Sequence, residues 1–116
     1  MLHTRSIKEN HLFRRLYAKG KSAVSPCLAV YVRKNYLPVT RLGLTVGTKV
    51  GKAVRRNQVR RRIREAYRIH EDRMASGWDI VVVARVKAAF SSYSELEREL
   101  LRLLDKLGVY RRGEPR

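Results

Sequence analysis

The run Ile80-Val81-Val82-Val83-Ala84 places the tightest limit on how this chain folds. It has no polar face to turn toward water and is mostly β-branched, so Asp79 to Ala84 is expected as a central strand covered on both faces. Two further segments alternate with period two. Leu28, Val30 and Val32 fall on one face of the first while Ala29, Tyr31 and Arg33 fall on the other; Leu42, Leu44 and Val46 share a face of the second. The loop from Lys34 to Thr40, with Asn35 and Pro38, suggests that these two strands pair with each other.

Helical periods surround the strands. Ser6-Ile7-Lys8-Glu9 has the form of a capping box and opens a helix that Gly20 closes. Ser94-Glu95-Leu96-Glu97 has the same form, followed by a stripe of Leu96, Leu100, Leu103, Leu104 and Leu107 with Gly108 as the stop. A third helix, Val54 to His70, follows the glycine-bounded turn Gly47 to Gly51. The expected fold is therefore α/β (α+β), a two-layer sandwich with helices packed on a small mixed sheet in the order α-β-β-β-α-β-α. At 116 residues it forms a single domain, with a basic tail over 110–116 expected to fray.

Charge narrows the class of partner. Lys and Arg number 27 against 10 Asp and Glu, a net +17 that attracts polyanions. An anionic membrane would call for an amphipathic helix with an aromatic or leucine face, or for an anchor, and neither pattern is written here. No apolar run approaches the roughly 20 residues of a spanning helix, and the N-terminus has no signal-peptide core, so a soluble, cytoplasmic protein is expected. Cys27 is the only cysteine, which excludes an internal disulfide, and His3, His11 and His70 lack metal-ligand spacing.

The basic residues concentrate on the third helix. On a helical wheel Val59, Ile63, Ala66 and Tyr67 gather on one side, and Asn57, Arg60, Arg61, Arg64 and Arg68 on another. A solvated face ordinarily alternates Glu with Lys to gain pairs four residues apart, whereas this ridge is expected to carry no acid. Arginine forks bidentately onto phosphate and stacks on bases, so the ridge reads as a nucleic-acid contact. The turn before it, Gly47-Thr-Lys-Val-Gly51-Lys52-Ala53, fails as a nucleotide-hydrolase phosphate loop. One residue is missing between the glycines, and Ala53 stands where a magnesium-binding Ser or Thr belongs. Lys49 and Lys52 beside a helix N-terminus still favour an anion. Phe13 and Tyr17, one turn apart, and Tyr31 on a strand face are candidates for stacking unpaired bases; Phe13 is equally readable as core.

The stretch Gly51-Lys-Ala-Val-Arg-Arg-Asn-Gln-Val-Arg-Arg-Arg-Ile-Arg-Glu-Ala-Tyr-Arg68 resembles the signature region of the protein subunit of bacterial ribonuclease P. The likeness runs from about Ile7 to Leu107 and includes Phe13, Tyr17 and Gly20, the Leu42-Gly-Leu-Thr-Val46 strand and the Gly77-Trp78-Asp79 strand entry. It implies a catalytic RNA partner that removes the 5′ leader from precursor tRNA with Mg²⁺, and a left-handed crossover between the strands near Val46 and Ile80. It also implies that Lys49, Lys52, Arg55, Arg56, Asn57, Arg60, Arg61, Arg64 and Arg68 contact the catalytic RNA. Phe13, Tyr17 and Tyr31 would contact the single-stranded leader. The chain would supply no catalytic residue and need no obligate protein partner. One departure is visible: the family's Arg-Asn-Arg triplet reads Arg56-Asn57-Gln58 here.

Two other functions compete. A small basic ribosomal protein needs only to hold rRNA phosphates, and an autonomous endonuclease needs a catalytic set. No pair of carboxylates stands near the basic helix, where Glu65 is the only acid between Lys49 and His70.

Overall fold

The structure is a computed structural model and describes residues 1–111. Its elements are β1 (Thr4–Ser6), α1 (Asn10–Lys19), β2 (Lys21–Val24), β3 (Leu28–Lys34), β4 (Thr40–Val46), α2 (Ala53–Ile69), β5 (Trp78–Ala84) and α3 (Tyr93–Lys106). The strands form one mixed sheet in the order β1-β4-β5-β3-β2. Strand β5, apolar from Ile80 to Ala84, lies at its centre, antiparallel to β3 and parallel to β4.

That position corrects the expected hairpin, because β3 and β4 do not pair and β5 lies between them. A strand with two apolar faces gains most where both faces and both edges are covered. The loop joining β3 to β4 crosses the end of β5 and is fastened there: Asn35 Nδ2 donates to Asp79 Oδ1 at 2.9 Å and to the Val39 carbonyl at 3.1 Å. Asp79 in turn receives Arg41 Nε at 2.7 Å and Nη2 at 2.8 Å.

The alternation of side chains sends the strand residues to two cores. Leu28, Val30, Val32, Leu42, Val46, Ile80 and Val82 pack with the buried faces of α2 and α3. Val81 and the half-buried Tyr31 and Val83 meet Ile7, Leu12 and Leu16 on the other side. The helical layer is thus divided across the sheet, α1 on one face and α2 with α3 on the other.

Neither capping box forms where it is expected. Ser6 belongs to β1, paired with Leu42, and α1 starts at Glu9 without a side-chain cap. For α3 the box is Ser92 with Glu95, two residues earlier than expected, with both reciprocal bonds formed. The sequence around it contains Ser-x-x-Glu in this frame as well, and docking of the Leu stripe selects the frame. Strand β1 is held in place by Glu71, whose carboxylate accepts from Leu2 N at 2.8 Å and His3 N at 3.1 Å. At the other terminus Tyr110 bridges to Met74, and Arg111 N donates to the Arg73 carbonyl at 2.8 Å, so the expected frayed tail does not include these two residues. Its remainder, 112–116, lies outside the described residues.

Candidate nucleic-acid interface

Helix α2 runs uninterrupted because no Gly or Pro occurs between Lys52 and Gly77, and Gly51 at φ +150° supplies the turn that aims it. Val59, Ile63, Ala66 and Tyr67 are its buried residues, as the wheel requires. Asn57, Arg61, Arg64 and Arg68 are exposed and Arg60 is half-buried, its Nη1 donating to Asn57 Oδ1 at 2.9 Å. The ridge does carry an acid. Arg68 Nε donates to Glu65 Oε2 at 3.0 Å; the hydrogen bond raises the Arg68 pKa and lowers that of Glu65. The pair corrects the expectation of an acid-free ridge, since a carboxylate three residues before an arginine reaches the same face. Unspent charge is therefore centred on Arg60, Arg61 and Arg64.

On the other side of the sheet the three candidate aromatics form a row. Phe13 and Tyr17 have ring centroids 6.5 Å apart, and Tyr17 meets Tyr31 edge-on at 5.0 Å. Phe13 and Tyr31 are half-buried, while Tyr17 is exposed, with its hydroxyl 3.1 Å from Thr45 Oγ1. The Phe13 ring lies against β4 at Gly43, where a Cβ would stand 2.7 Å from ring carbon Cζ. A side chain at this position would have to push that ring aside.

A chain with this strand order, an arginine ridge and an aromatic row matches known proteins along most of its length. Residues 1–108 match the family model described as ribonuclease P. The chain belongs to the ribonuclease P protein family. The ribonuclease P protein component of Clostridium botulinum (strain Loch Maree / Type A3) is 42% identical over 105 residues, covering 90% of this chain and 95% of the relative. The Staphylococcus aureus RNase P protein superposes with a TM-score of 0.84 at 34% identity, covering 90% of this chain and 96% of that one. The RNase P protein of Thermotoga maritima gives 0.80 at 32% identity, with 88% and 96% covered. The chain is accordingly the protein subunit of an endoribonuclease that works with an RNA subunit in tRNA processing. The ribosomal alternative finds no support.

Within this ribonuclease P protein the expected contact residues do not form one surface. Arg60 and Arg64 border a hollow with Arg5, Ser6, Ile7 and Gly43 at the β1–β4 edge. Arg55 lies on the opposite flank of α2, where its Nη1 donates to the Ala89 carbonyl at 3.1 Å, and Arg62 beside it reaches the Ser91 carbonyl at 3.3 Å. Lys49 and Lys52 are exposed before the helix. Arg56 is half-buried, and its Nε is buried without a hydrogen-bond partner among the described residues. Arg5 is the residue that sequence alone does not find, since a three-residue strand has no readable period. Among the described residues no three His, Cys, Asp or Glu side chains gather to hold a metal. Nor is any helix among them long and apolar enough to cross a membrane.

Proposed function

We propose that the arginine ridge of α2 docks on the catalytic RNA while the Phe13-Tyr17-Tyr31 row holds the single-stranded 5′ leader of precursor tRNA. The observation that supports this division is contiguity. Gly43 lies under the Phe13 ring and also borders the hollow of Arg60 and Arg64, so the two surfaces meet around the β1–β4 edge. One RNA assembly reaches both without bending the protein.

The chemistry suits each role. Arg60, Arg61 and Arg64, with Arg5 beside them, offer guanidinium forks to a folded phosphate backbone. Asn57, Arg56 and Arg68 extend this contact along the helix, and Lys49, Lys52 and Arg55 extend it before and beside its first turn. Tyrosine and phenylalanine rings stack on any base and suit a leader whose sequence varies from one precursor to the next. Mg²⁺ in this reading is held by the RNA, the compartment is the cytoplasm, and the chain contributes no catalytic residue. Its own residues bind and orient.

The division is tested by Tyr31→Ala. Stacking is worth roughly a 5- to 150-fold change in affinity per base, so precursor tRNA binding to the holoenzyme should weaken within that range while mature tRNA binding stays unchanged. Equal losses for the two substrates would remove the leader from this surface.

A further inference from the structure

Phe90 is 82% exposed at the end of the 3-10 turn Val86–Phe90, and Val54, across from it on the first turn of α2, is 71% exposed. Such exposure is ordinary on a fraying loop, but this segment is fastened on every side. Its neighbours Ala89 and Ser91 are buried, and their carbonyls accept from Arg55 and Arg62 at 3.1 and 3.3 Å. Ser91 Oγ donates to the Lys87 carbonyl at 2.9 Å and lies 2.8 Å from Cys27 Sγ. These bonds anchor the turn, and Phe90 at its end holds its ring out to solvent.

The ring stands in a hollow with Val54, Lys52, Arg55 and Gln58. Gln58 is the uncharged third member of the Arg56-Asn57-Gln58 triplet, and it faces this flank rather than the ridge of Arg60 and Arg64. We propose that the hollow receives one unpaired base of the catalytic RNA. The base stacks on Phe90 over Val54, the Gln58 amide hydrogen-bonds its edge, and Lys52 with Arg55 meets the adjoining phosphate. An amide reads a base edge as donor and acceptor together, which an arginine does not, and cations beside an exposed aromatic suit a nucleotide better than an apolar helix. The inference rests on the docking of α2 against the catalytic RNA and extends that contact to the far flank of the helix.

The test is the affinity of Phe90→Ala, Phe90→Leu and Phe90→Tyr, together with Gln58→Ala, for a transcript of the catalytic RNA at fixed salt. Phe90→Ala should lose roughly 5- to 150-fold, Phe90→Leu most of the same, and Phe90→Tyr little, because a ring stacks and a branched alkyl chain does not. The dependence on salt should be the same for all of them, since no phosphate contact is removed. Thermal melts should be unaltered, the side chain being exposed. Wild-type affinity in Phe90→Ala, full retention in Phe90→Leu, or a wild-type self-association seen by sedimentation that Phe90→Ala abolishes would each overturn the proposal. Arg60→Ala with Arg64→Ala, measured in parallel, separates the two levels. If that variant also binds normally, the docking of α2 itself is wrong; if it alone weakens, only the Phe90 site is.

Discussion

Glu99 shows how much of this protein is settled by single side chains that a pattern passes over. It stands beside the leucine stripe of α3, where an acid reads as solvated, yet it is buried and its Oε1 accepts from Cys27 N at 3.0 Å. Burial works to raise its pKa, but hydrogen bonds from Ser25 and Cys27 prevail and hold it below the usual carboxylate value. A lowered folded-state pKa means stability that is present above the unfolded value of about 4.3 and lost as pH falls through the folded one. Glu99→Ala should therefore cost about 1–3 kcal/mol at neutral pH by stranding the Cys27 amide. The gap between variant and wild type in denaturant melts should narrow in acid as the charge-linked part is lost; a gap of constant size from neutral to acid pH would show that the carboxylate charge is not involved. Glu71 has the same logic at the N-terminus, where burial is again outweighed by Thr4 and the Leu2 and His3 amides. Neither acid is recognisable before the chain segments that donate to it are brought together.

At the scale of elements, periodicity served where one element meets one environment. β5 is central because Ile80 to Ala84 has no polar face, and the buried residues of α2 are those of its apolar stripe. Pairing was not readable in the same way. The hairpin expected of β3 and β4 rests on sequence proximity, and it is displaced because β5 gains more between them than at an edge. β1 is too short to show alternation, which hid Arg5 from the interface. The Glu65–Arg68 pair divides the ridge into charges already engaged and charges still available. Arg60→Ala with Arg64→Ala should flatten the dependence of log K for the catalytic RNA on log salt by roughly 0.7–0.9 per lost phosphate contact. Arg68→Ala should change the slope less, because its charge is partly answered within the protein. Equal slopes for Arg68→Ala and the double variant would show that the Glu65 pair opens on binding.

The whole molecule combines a net charge of +17 with two cores on opposite faces of one sheet. The cores account for why a chain so strongly self-repelling still closes, and the charge accounts for its attraction to polyanions. The family was legible before any coordinates because the stretch from Gly51 to Arg68 is dense in basic residues that its apolar stripe does not need for packing. Which side of the sheet each helix covers was not legible, and the proposed meeting of the two surfaces at the β1–β4 edge depends on it. If the protein supplies binding and the RNA supplies chemistry, the decisive measurement is cleavage of precursor tRNA at low Mg²⁺ by the catalytic RNA alone, the protein alone, and the two together. Efficient release of the 5′ leader only by the pair is the predicted result; cleavage by the protein alone, or no stimulation of the RNA, would contradict it.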